Sequence, residues 1–222
     1  MGETITLKTA DGAVISAYRA RPSGTPKGGI VVVQEIFGVN HHIRAVADRF
    51  AAAGYLAVAP AIFDRVEKNV ELPYDADGIA RGYALAQKSP TPAALRDIAA
   101  AAAVAAEGGK VGVVGFCWGG SLAYATAAHP GAITAAVGYY GGTIAKDLQA
   151  TLHVPVELHF GAKDEHIPLG DVERIGRAHP DVAIYVYDAG HGFNCDERGS
   201  YDKASADLAW GRTLAFFGKH LG

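Results

Sequence analysis

The chain has 222 residues, half of them apolar, and 20 Lys and Arg against 23 Asp and Glu give a formal net charge of −3. A chain of this length can bury a core that needs no disulfides, so we expect one α/β domain over residues 1–222. The slightly acidic balance, without basic runs, argues against nucleic-acid binding. Since we see neither a secretory signal nor a membrane-length apolar stretch, we expect a cytoplasmic protein that does not enter membranes.

The first predicted elements form a hairpin. Thr4–Lys8 and Val14–Arg19 alternate polar and apolar residues, and the turn signal Asp11-Gly12 lies between them. Alternation places polar and apolar side chains on opposite faces of a strand. The pattern therefore predicts an antiparallel pair at one edge of the sheet.

From residue 30 onward the strand signal changes to short, mostly β-branched runs without polar alternation, as strands buried on both faces require. Stretches with helical spacing separate these runs. Such alternation predicts an α/β fold with a mostly parallel, doubly wound sheet and helices on both faces. The predicted strands are Ile30–Val33, Leu56–Ala59, Val111–Val114, Ile133–Val137, Val154–Phe160 and Val182–Tyr187. The predicted helices are His42–Ala53, Asp75–Gln87, Pro92–Glu107, Gly120–Ala128, Asp171–Ala178 and Lys203–His220.

Local signals mark some helix ends and one irregular segment. Thr91 stands before Pro92 as a suitable N-cap, and Gly54 follows a helix as a C-terminal glycine. The segment 63–73 has no regular pattern. We predict that it is a surface excursion that borders a binding cleft.

The strongest chemical signal is Gly115-Phe116-Cys117-Trp118-Gly119, between a predicted strand and a predicted helix. This spacing is typical of the nucleophile elbow, with cysteine in place of serine. Glycine is needed on either side because a Cβ there would collide with neighbouring backbone. Cys117 would then lie at a helix N-terminus, where the helix dipole favours a thiolate.

Two other interpretations of this turn remain. Cys117 could be a small buried apolar residue, as many lone cysteines are. A glycine-rich turn after a strand also suits the pyrophosphate of a dinucleotide. That fingerprint requires Gly-x-Gly-x-x-Gly, whereas Val113 and Cys117 occupy the positions two before and two after Gly115. We therefore expect no dinucleotide cofactor.

Two later loops carry an acid and a histidine. Asp164 follows the strand that ends near Phe160, and His191 lies in Gly190-His191-Gly192 after the last predicted strand. Alone, Asp164 could be a helix cap and His191 an ordinary loop residue. The order Cys117, Asp164, His191 is nevertheless that of nucleophile, acid and histidine in α/β-hydrolases. All three follow strand ends, where open parallel sheets place their sites.

The sequence patterns support neither a metal site nor a redox role for the cysteines as well as they support a nucleophile. His153, His159 and His166 lie close in sequence, but no His-Glu-x-x-His or paired-cysteine spacing occurs, so we expect no metal site. Cys195 could pair with Cys117 on oxidation or line a pocket. Two lone cysteines in a reducing compartment are more often unbonded, so we assign Cys195 no role.

The sequence resembles the dienelactone hydrolase family, the cysteine-dependent members of the α/β-hydrolase fold, over nearly its whole length. The specific features are Gln34-Glu35-Ile36-Phe37-Gly38, the cysteine elbow followed by Gly120, and Gly138-Tyr139-Tyr140-Gly141. The Asp164 loop and Gly190-His191-Gly192-Phe193 are shared with hydrolases at large. The resemblance implies an ester or lactone hydrolase that acts on a small molecule.

The resemblance also implies roles for individual residues. Cys117 would be the nucleophile, His191 the base and then the acid, and Asp164 the group that orients the imidazole. Glu35 would hold the resting thiol and swing away as substrate enters. The backbone amides of Ile36 and Trp118 would form the oxyanion hole. A carboxylate near a cysteine opposes the thiolate, which agrees with the role implied for Glu35.

The substrate side departs from the family pattern. Well-known members grip a substrate carboxylate with two arginines, but the third residue after His191 is Asn194, and Ile79 stands one turn before Tyr83, with Arg81 two positions away. Arg65, Arg81 or Arg198 could supply a cation from another direction. We predict that the pocket is bordered by Arg81, Asn194 and the aromatic residues Phe37, Phe63, Tyr83, Trp118 and Phe193.

Two other functions remain open. The same fold could bind or sense a ligand, with Cys117 oxidised reversibly, although such a protein has no need of both Asp164 and His191. A thiolate with oxyanion donors could also attack a phosphotriester as a side activity. We expect a monomer or weak homodimer with no cofactor.

Overall fold

Within residues 2–222, which the computed structural model describes, eight strands form a sheet in the order β1-β2-β4-β3-β5-β6-β7-β8. The predicted hairpin is present, since β1 and β2 pair antiparallel from Glu3↔Arg19 to Lys8↔Val14. Strand β2 also pairs antiparallel with β4, and all later pairs are parallel. The strands are β1 (Glu3–Lys8), β2 (Val14–Ala20), β3 (Gly29–Val33), β4 (Leu56–Pro60), β5 (Val111–Phe116), β6 (Ala135–Tyr139), β7 (Val156–Gly161) and β8 (Ala183–Tyr187).

Helices cover both faces of this sheet, as predicted. Helices α1 and α6 share one face, where Phe50 packs on Trp210 and Phe217 at ring-centroid distances of 4.6 and 6.1 Å. Helices α3 and α4 contact each other and the central strands on the other face. The fold is therefore the predicted mostly parallel, doubly wound α/β-hydrolase fold. The helices are α1 (His41–Ala52), α2 (Ala76–Gln87), α3 (Thr91–Ala105), α4 (Trp118–Ala127), α5 (Leu169–Ala178) and α6 (Lys203–Leu221).

The central strands are fully buried, which explains their continuous apolar sequences. Every residue of β3, β4, β5, β6 and β7 is buried, and Val31, Val113 and Val137 have no measurable exposure. Strands covered by helices on both faces have no solvent side that would select polar residues. The segments that follow β3, β5, β7 and β8 therefore meet at one edge of this buried sheet.

Several boundaries differ from the predictions. Strand β6 was predicted over residues 133–137 but runs to Tyr139, because its register with β5 extends to the pair Phe116↔Tyr139. Helix α3 begins at Thr91, with Pro90 as its N-cap, so the predicted N-cap lies one residue too late. Helix α4 begins at Trp118, two residues before the prediction, because it starts directly after the turn at Cys117.

The irregular segment after β4 lies against the sheet edge rather than projecting freely. It begins with a short 3-10 helix over Ile62–Arg65, and an isolated bridge joins Gly38 and Glu71. Phe63, Val70 and Leu72 are buried in a small apolar cluster that also contains Phe37. This segment therefore packs beside the loop that follows β3.

Within residues 2–222, no helix combines the length and the apolar character that a membrane crossing requires.

Candidate active site

The turn between β5 and α4 holds Cys117 in a backbone conformation that few side chains adopt. Its φ is +54° and its ψ is −115°, and its amide donates a 3.0 Å hydrogen bond to the carbonyl of Tyr139. A Cβ on Gly115 would lie 1.8 Å from the carbonyl oxygen of Gly119, and one on Gly119 would lie 2.4 Å from that of Val33. The glycines therefore permit a tight turn that presents a half-buried thiol at the sheet edge.

Asp164 and His191 meet across two neighbouring loops. Asp164 Oδ2 lies 2.7 Å from His191 Nδ1, and Asp164 Oδ1 accepts hydrogen bonds from the amides of His166 and Ile167 at 2.8 and 3.2 Å. Burial opposes ionisation of Asp164, but the hydrogen bond to His191 and the backbone amide outweigh it. The pKa of Asp164 is therefore held below its usual value. An ionised carboxylate thus fixes the orientation of the imidazole.

The other side of the His191 ring faces Cys117. Burial by itself lowers the pKa of His191, but hydrogen bonding with Asp164 and with Cys117 more than reverses this, and the pKa rises to about 10. Asp164 and Cys117 therefore both favour the protonated form of the imidazole. The structure brings together the three side chains that the sequence singled out in three separate loops.

Glu35 follows β3 and is fully buried. One carboxylate oxygen accepts a 3.2 Å hydrogen bond from Arg198, and the other accepts a 3.0 Å bond from the hydroxyl of Tyr74. Both carboxylate oxygens therefore bind other side chains in this structure. The contact of Glu35 with the Cys117 thiol, which the family resemblance implies, stays a prediction.

Arg198 is the cation that approaches the site. Its guanidinium lies above Gly192, where an added Cβ would meet Nη1 at 2.7 Å. Burial opposes the charge of Arg198, but Glu35, with smaller contributions from Tyr140 and Cys117, raises its pKa above the usual value. Arg65 instead lies between Asp11 and Asp97.

The segment proposed for the oxyanion hole lies against the start of α4. A Cβ on Gly119 would also meet the carbonyl oxygen of Gln34 at 2.4 Å, so the chain after β3 passes directly beside the elbow. Trp118 is the first residue of α4, where backbone amides lack helical partners. The assignment of the Ile36 and Trp118 amides as oxyanion donors stays a prediction.

Some predicted pocket residues lie beside Cys117. Phe63 stacks on Trp118 with ring centroids 5.3 Å apart and an interplanar angle of 20°. Phe37 belongs to the same apolar cluster. Tyr83 is half-exposed, and the charges of Cys117 and Asp164 influence its pKa, which burial raises. Phe37 and Phe63 are therefore buried behind Trp118, and Trp118 and Tyr83 are the partly exposed aromatic residues of this group.

Other predicted pocket residues lie elsewhere. Phe193 has no exposure and packs against Tyr140 and Tyr187 in the core. Arg81 forms an ion pair with Glu67 on the surface. Asn194 is buried, and its Oδ1 has no hydrogen-bond partner. No contact with a substrate is established for any of these three residues.

Sequence reasoning missed Tyr74 and undervalued Arg198. Tyr74 lies outside every motif, in the irregular segment before α2, and a pattern cannot indicate that its hydroxyl reaches Glu35. Arg198 lies seven residues after His191 in a loop, where an arginine is usually solvated. Only the folded structure shows that the Arg198 side chain lies over Gly192.

Comparison with known proteins agrees with this architecture. A sequence model described as "Dienelactone hydrolase family" matches residues 15–221. A carboxymethylenebutenolidase of Pseudomonas putida is 34% identical, with 96% of this chain and 95% of the relative covered. A protein of Escherichia coli strain K12 assigned as a carboxymethylenebutenolidase is 35% identical, over 96% of this chain and 85% of the relative.

Comparison with solved structures indicates the same family. The crystal structure of a protein of Klebsiella pneumoniae assigned as a dienelactone hydrolase superposes with a TM-score of 0.86 at 35% identity and covers 99% of each chain. A dienelactone hydrolase-like promiscuous phosphotriesterase from metagenomic libraries shares the fold, with a TM-score of 0.78 at 24% identity, over 100% of this chain and 99% of that one. The resemblance inferred from the elbow and from the segment after β3 is confirmed, and the chain belongs to the dienelactone hydrolase family.

Proposed function

We propose that this chain hydrolyses small-molecule esters or lactones through a thioester formed on Cys117. The observation that carries the proposal is the 2.7 Å pair of Asp164 and His191 at the same sheet edge as the strained turn that presents Cys117. A protonated His191 stabilises a thiolate beside it and can then deliver its proton to the leaving group. The names of the relatives point to the same class of bond.

In the first step the thiol proton of Cys117 is held on His191, the Cys117 thiolate attacks the carbonyl carbon, and the amides of Ile36 and Trp118 donate hydrogen bonds to the developing oxyanion. The carbon–oxygen bond to the alcohol then breaks, and the alcohol takes the proton of His191. In the second step neutral His191 removes a proton from water, which attacks the thioester and releases the acid and the thiolate. Asp164 holds the ring in place throughout.

The sulfur nucleophile also sets a substrate preference. A thiolate is a good leaving group, so it is expelled from the tetrahedral intermediate unless the alcohol departs readily. We therefore expect enol, phenol and strained-lactone leaving groups to react faster than simple alkyl esters. The partly exposed ring of Trp118, which stacks on Phe63, would favour a flat apolar group next to the reacting carbonyl.

The main test is hydrolysis of a p-nitrophenyl ester by Cys117→Ala. We expect loss of essentially all enzymatic turnover, and retention of half the wild-type rate would refute the proposal. Burst kinetics separate an enzyme from a binding or sensing protein. Stoichiometric release of nitrophenol without further turnover would favour the binding protein.

Arg198 is the proposed partner for a substrate carboxylate, because it is the arginine whose guanidinium lies beside Gly192 and Glu35. Initial rates on matched neutral and carboxylate-bearing lactones test this assignment, with Arg198→Gln and the surface variant Arg81→Gln as a pair. We expect the Arg198 substitution to raise KM for the acidic lactone only. An equal effect on both lactones would show that Arg198 acts through Glu35 alone.

A second candidate activity is slow phosphotriester hydrolysis. The structural neighbour named as a promiscuous phosphotriesterase shares the fold, and a thiolate with amide donors could attack phosphorus as well as carbon. Release of nitrophenol from a p-nitrophenyl phosphotriester by the wild type but not by Cys117→Ala would support it.

A further inference from the structure

A second cluster of potential ligand atoms lies next to the candidate active site. Glu35, His42 and Cys195 are each at most 1% exposed, and one ligand atom from each lies within 4.8 Å of the other two. They come from the segment after β3, the first turn of α1 and the loop after His191. No metal-binding spacing is visible in the sequence because these three positions are far apart in the chain.

His42, a member of this cluster, has one buried ring nitrogen without a hydrogen-bond partner. Its Nδ1 lies 3.3 Å from Asp196 Oδ1, whereas its Nε2 is buried without a hydrogen-bond partner. Buried polar atoms are normally paired, so an isolated ring nitrogen calls for a ligand. Metal-bound histidines commonly hold a carboxylate on the other ring nitrogen, which fixes the tautomer and the ring orientation. His42 and Asp196 have this arrangement.

Cys195 and Glu35 supply the other donors. Cys195 is a free, fully buried cysteine, and a thiol must lose its proton to bind a metal. The Tyr74 hydroxyl donates a 3.0 Å hydrogen bond to Glu35 and receives a 3.0 Å bond from Asn40. These hydrogen bonds hold the Glu35 carboxylate within 4.8 Å of the Cys195 sulfur.

We propose that Glu35, His42 and Cys195 bind one divalent transition-metal ion of the Zn²⁺ class. The ligands would be a carboxylate oxygen, the ring nitrogen Nε2 and the sulfur Sγ. A thiolate with an imidazole selects Zn²⁺ or Co²⁺ over Mg²⁺ and Ca²⁺, which prefer oxygen ligands. Binding breaks the S–H bond of Cys195, forms a metal–sulfur bond and releases one proton to solvent, with no change of oxidation state. Metal–ligand bonds of about 2.0–2.3 Å require the donors to move inward by about 1 Å.

The site shares Glu35 with the candidate active site. A bound cation would draw the Glu35 carboxylate away from Arg198, which lies beside Cys117. An effect of the ion on ester hydrolysis would depend on the proposed function. Metal binding itself does not depend on it. Binding must therefore be measured without reference to turnover.

The experiment is titration of the tag-free, reduced protein with Co²⁺, followed by the sulfur-to-cobalt charge-transfer absorption. We expect one equivalent to bind, with Zn²⁺ displacing Co²⁺. Calorimetry in two buffers of different ionisation enthalpy should show release of one proton per ion. Circular dichroism checks that each variant is folded.

Matched variants locate the ion. Cys195→Ser should abolish the absorption, while Cys117→Ser should retain it. His42→Gln should weaken binding by at least about 100-fold, whereas the neighbouring exposed His41→Gln should leave it unchanged. Asp196→Asn should weaken binding by about 10- to 100-fold through the orientation of His42.

Two outcomes would overturn the proposal. One is the absence of a charge-transfer band in the folded wild type at Co²⁺ concentrations well above the protein concentration. The other is a band that survives Cys195→Ser and disappears in Cys117→Ser, which would place the ion at the candidate active site. Neither outcome bears on whether Cys117 hydrolyses esters, because that is measured separately with the Cys117→Ala variant.

Discussion

Two buried histidine–carboxylate pairs in this molecule have opposite protonation. His191 Nδ1 lies 2.7 Å from Asp164, and His159 Nε2 lies 3.0 Å from Glu157. The first pair stands at the sheet edge, where the pKa of His191 rises to about 10. The second lies beneath α6 on β7, where burial lowers the pKa of His159. A carboxylate neighbour therefore does not by itself produce a charged histidine.

The difference lies in the remaining partners. Both ring nitrogens of His159 have neutral hydroxyl partners, Tyr187 at 2.8 Å and Thr213 at 3.1 Å, so a neutral ring is well accommodated. His191 instead faces the Cys117 sulfur, which adds a second stabilising partner for the cation. The His159 side chain is completely enclosed, whereas the His191 side chain is 12% exposed. A nucleophile and an opening distinguish the candidate catalytic pair from the structural one.

The largest expected effect comes from replacing each histidine in turn. His191→Gln should lower kcat/KM for an activated ester by about 10²–10⁴-fold, because it removes the group that transfers protons. His159→Gln should leave kcat/KM within about 3-fold, because His159 lies in the core away from the elbow. Comparable losses in both variants, with both folded by circular dichroism, would remove the distinction between the two pairs.

The next effect concerns the acid of the first pair. Asp164→Asn should lower kcat by about 10²-fold or more, because the imidazole loses its orienting charge. The pKa of His191 should fall from about 10, which NMR titration of the ring would measure. The exposed neighbour provides the control, and Glu165→Gln should change neither quantity.

The raised pKa of His191 also gives stability a pH dependence of known sign. A histidine with a folded pKa above its unfolded value near 6.5 stabilises the fold fully below about pH 6.5, and this contribution is lost as pH rises through about 10. The advantage of the wild type over Asp164→Asn in free energy of unfolding should therefore shrink across that interval. Denaturant unfolding at several pH values measures it, and a constant difference would contradict a protonated His191.

The smallest effect concerns the structural pair. Thr213→Val removes a hydroxyl that contacts His159 at 3.1 Å and the Tyr139 hydroxyl at 2.7 Å. We expect the free energy of unfolding to fall by about 1–3 kcal/mol, because buried polar partners lose a hydrogen bond. Activity should not change. Loss of activity at unchanged stability would show that this network communicates with Cys117.

Much of the candidate site was predictable because its signals are local. The glycines around Cys117 are required by contacts within the turn, such as the 1.8 Å approach of a Gly115 Cβ to the carbonyl of Gly119. The placement of Asp164 and His191 after strand ends needed only the βαβ pattern. By contrast, Phe193 was predicted to border the pocket, yet it is fully buried. Glycines that flank a loop do not indicate whether a side chain in that loop points into the pocket or into the core.

The sequence by itself determined the parallel sheet, the elbow and the order of the three reactive residues, because continuous apolar runs and tight glycine turns act over a few neighbouring residues. Only the tertiary structure decided that Glu35 pairs with Arg198, that His159 is enclosed by hydroxyl groups, and that Glu35, His42 and Cys195 converge. These contacts join segments up to 163 residues apart. The packing of helices and loops on the sheet decides which of these residues meet. A local sequence pattern does not contain that information.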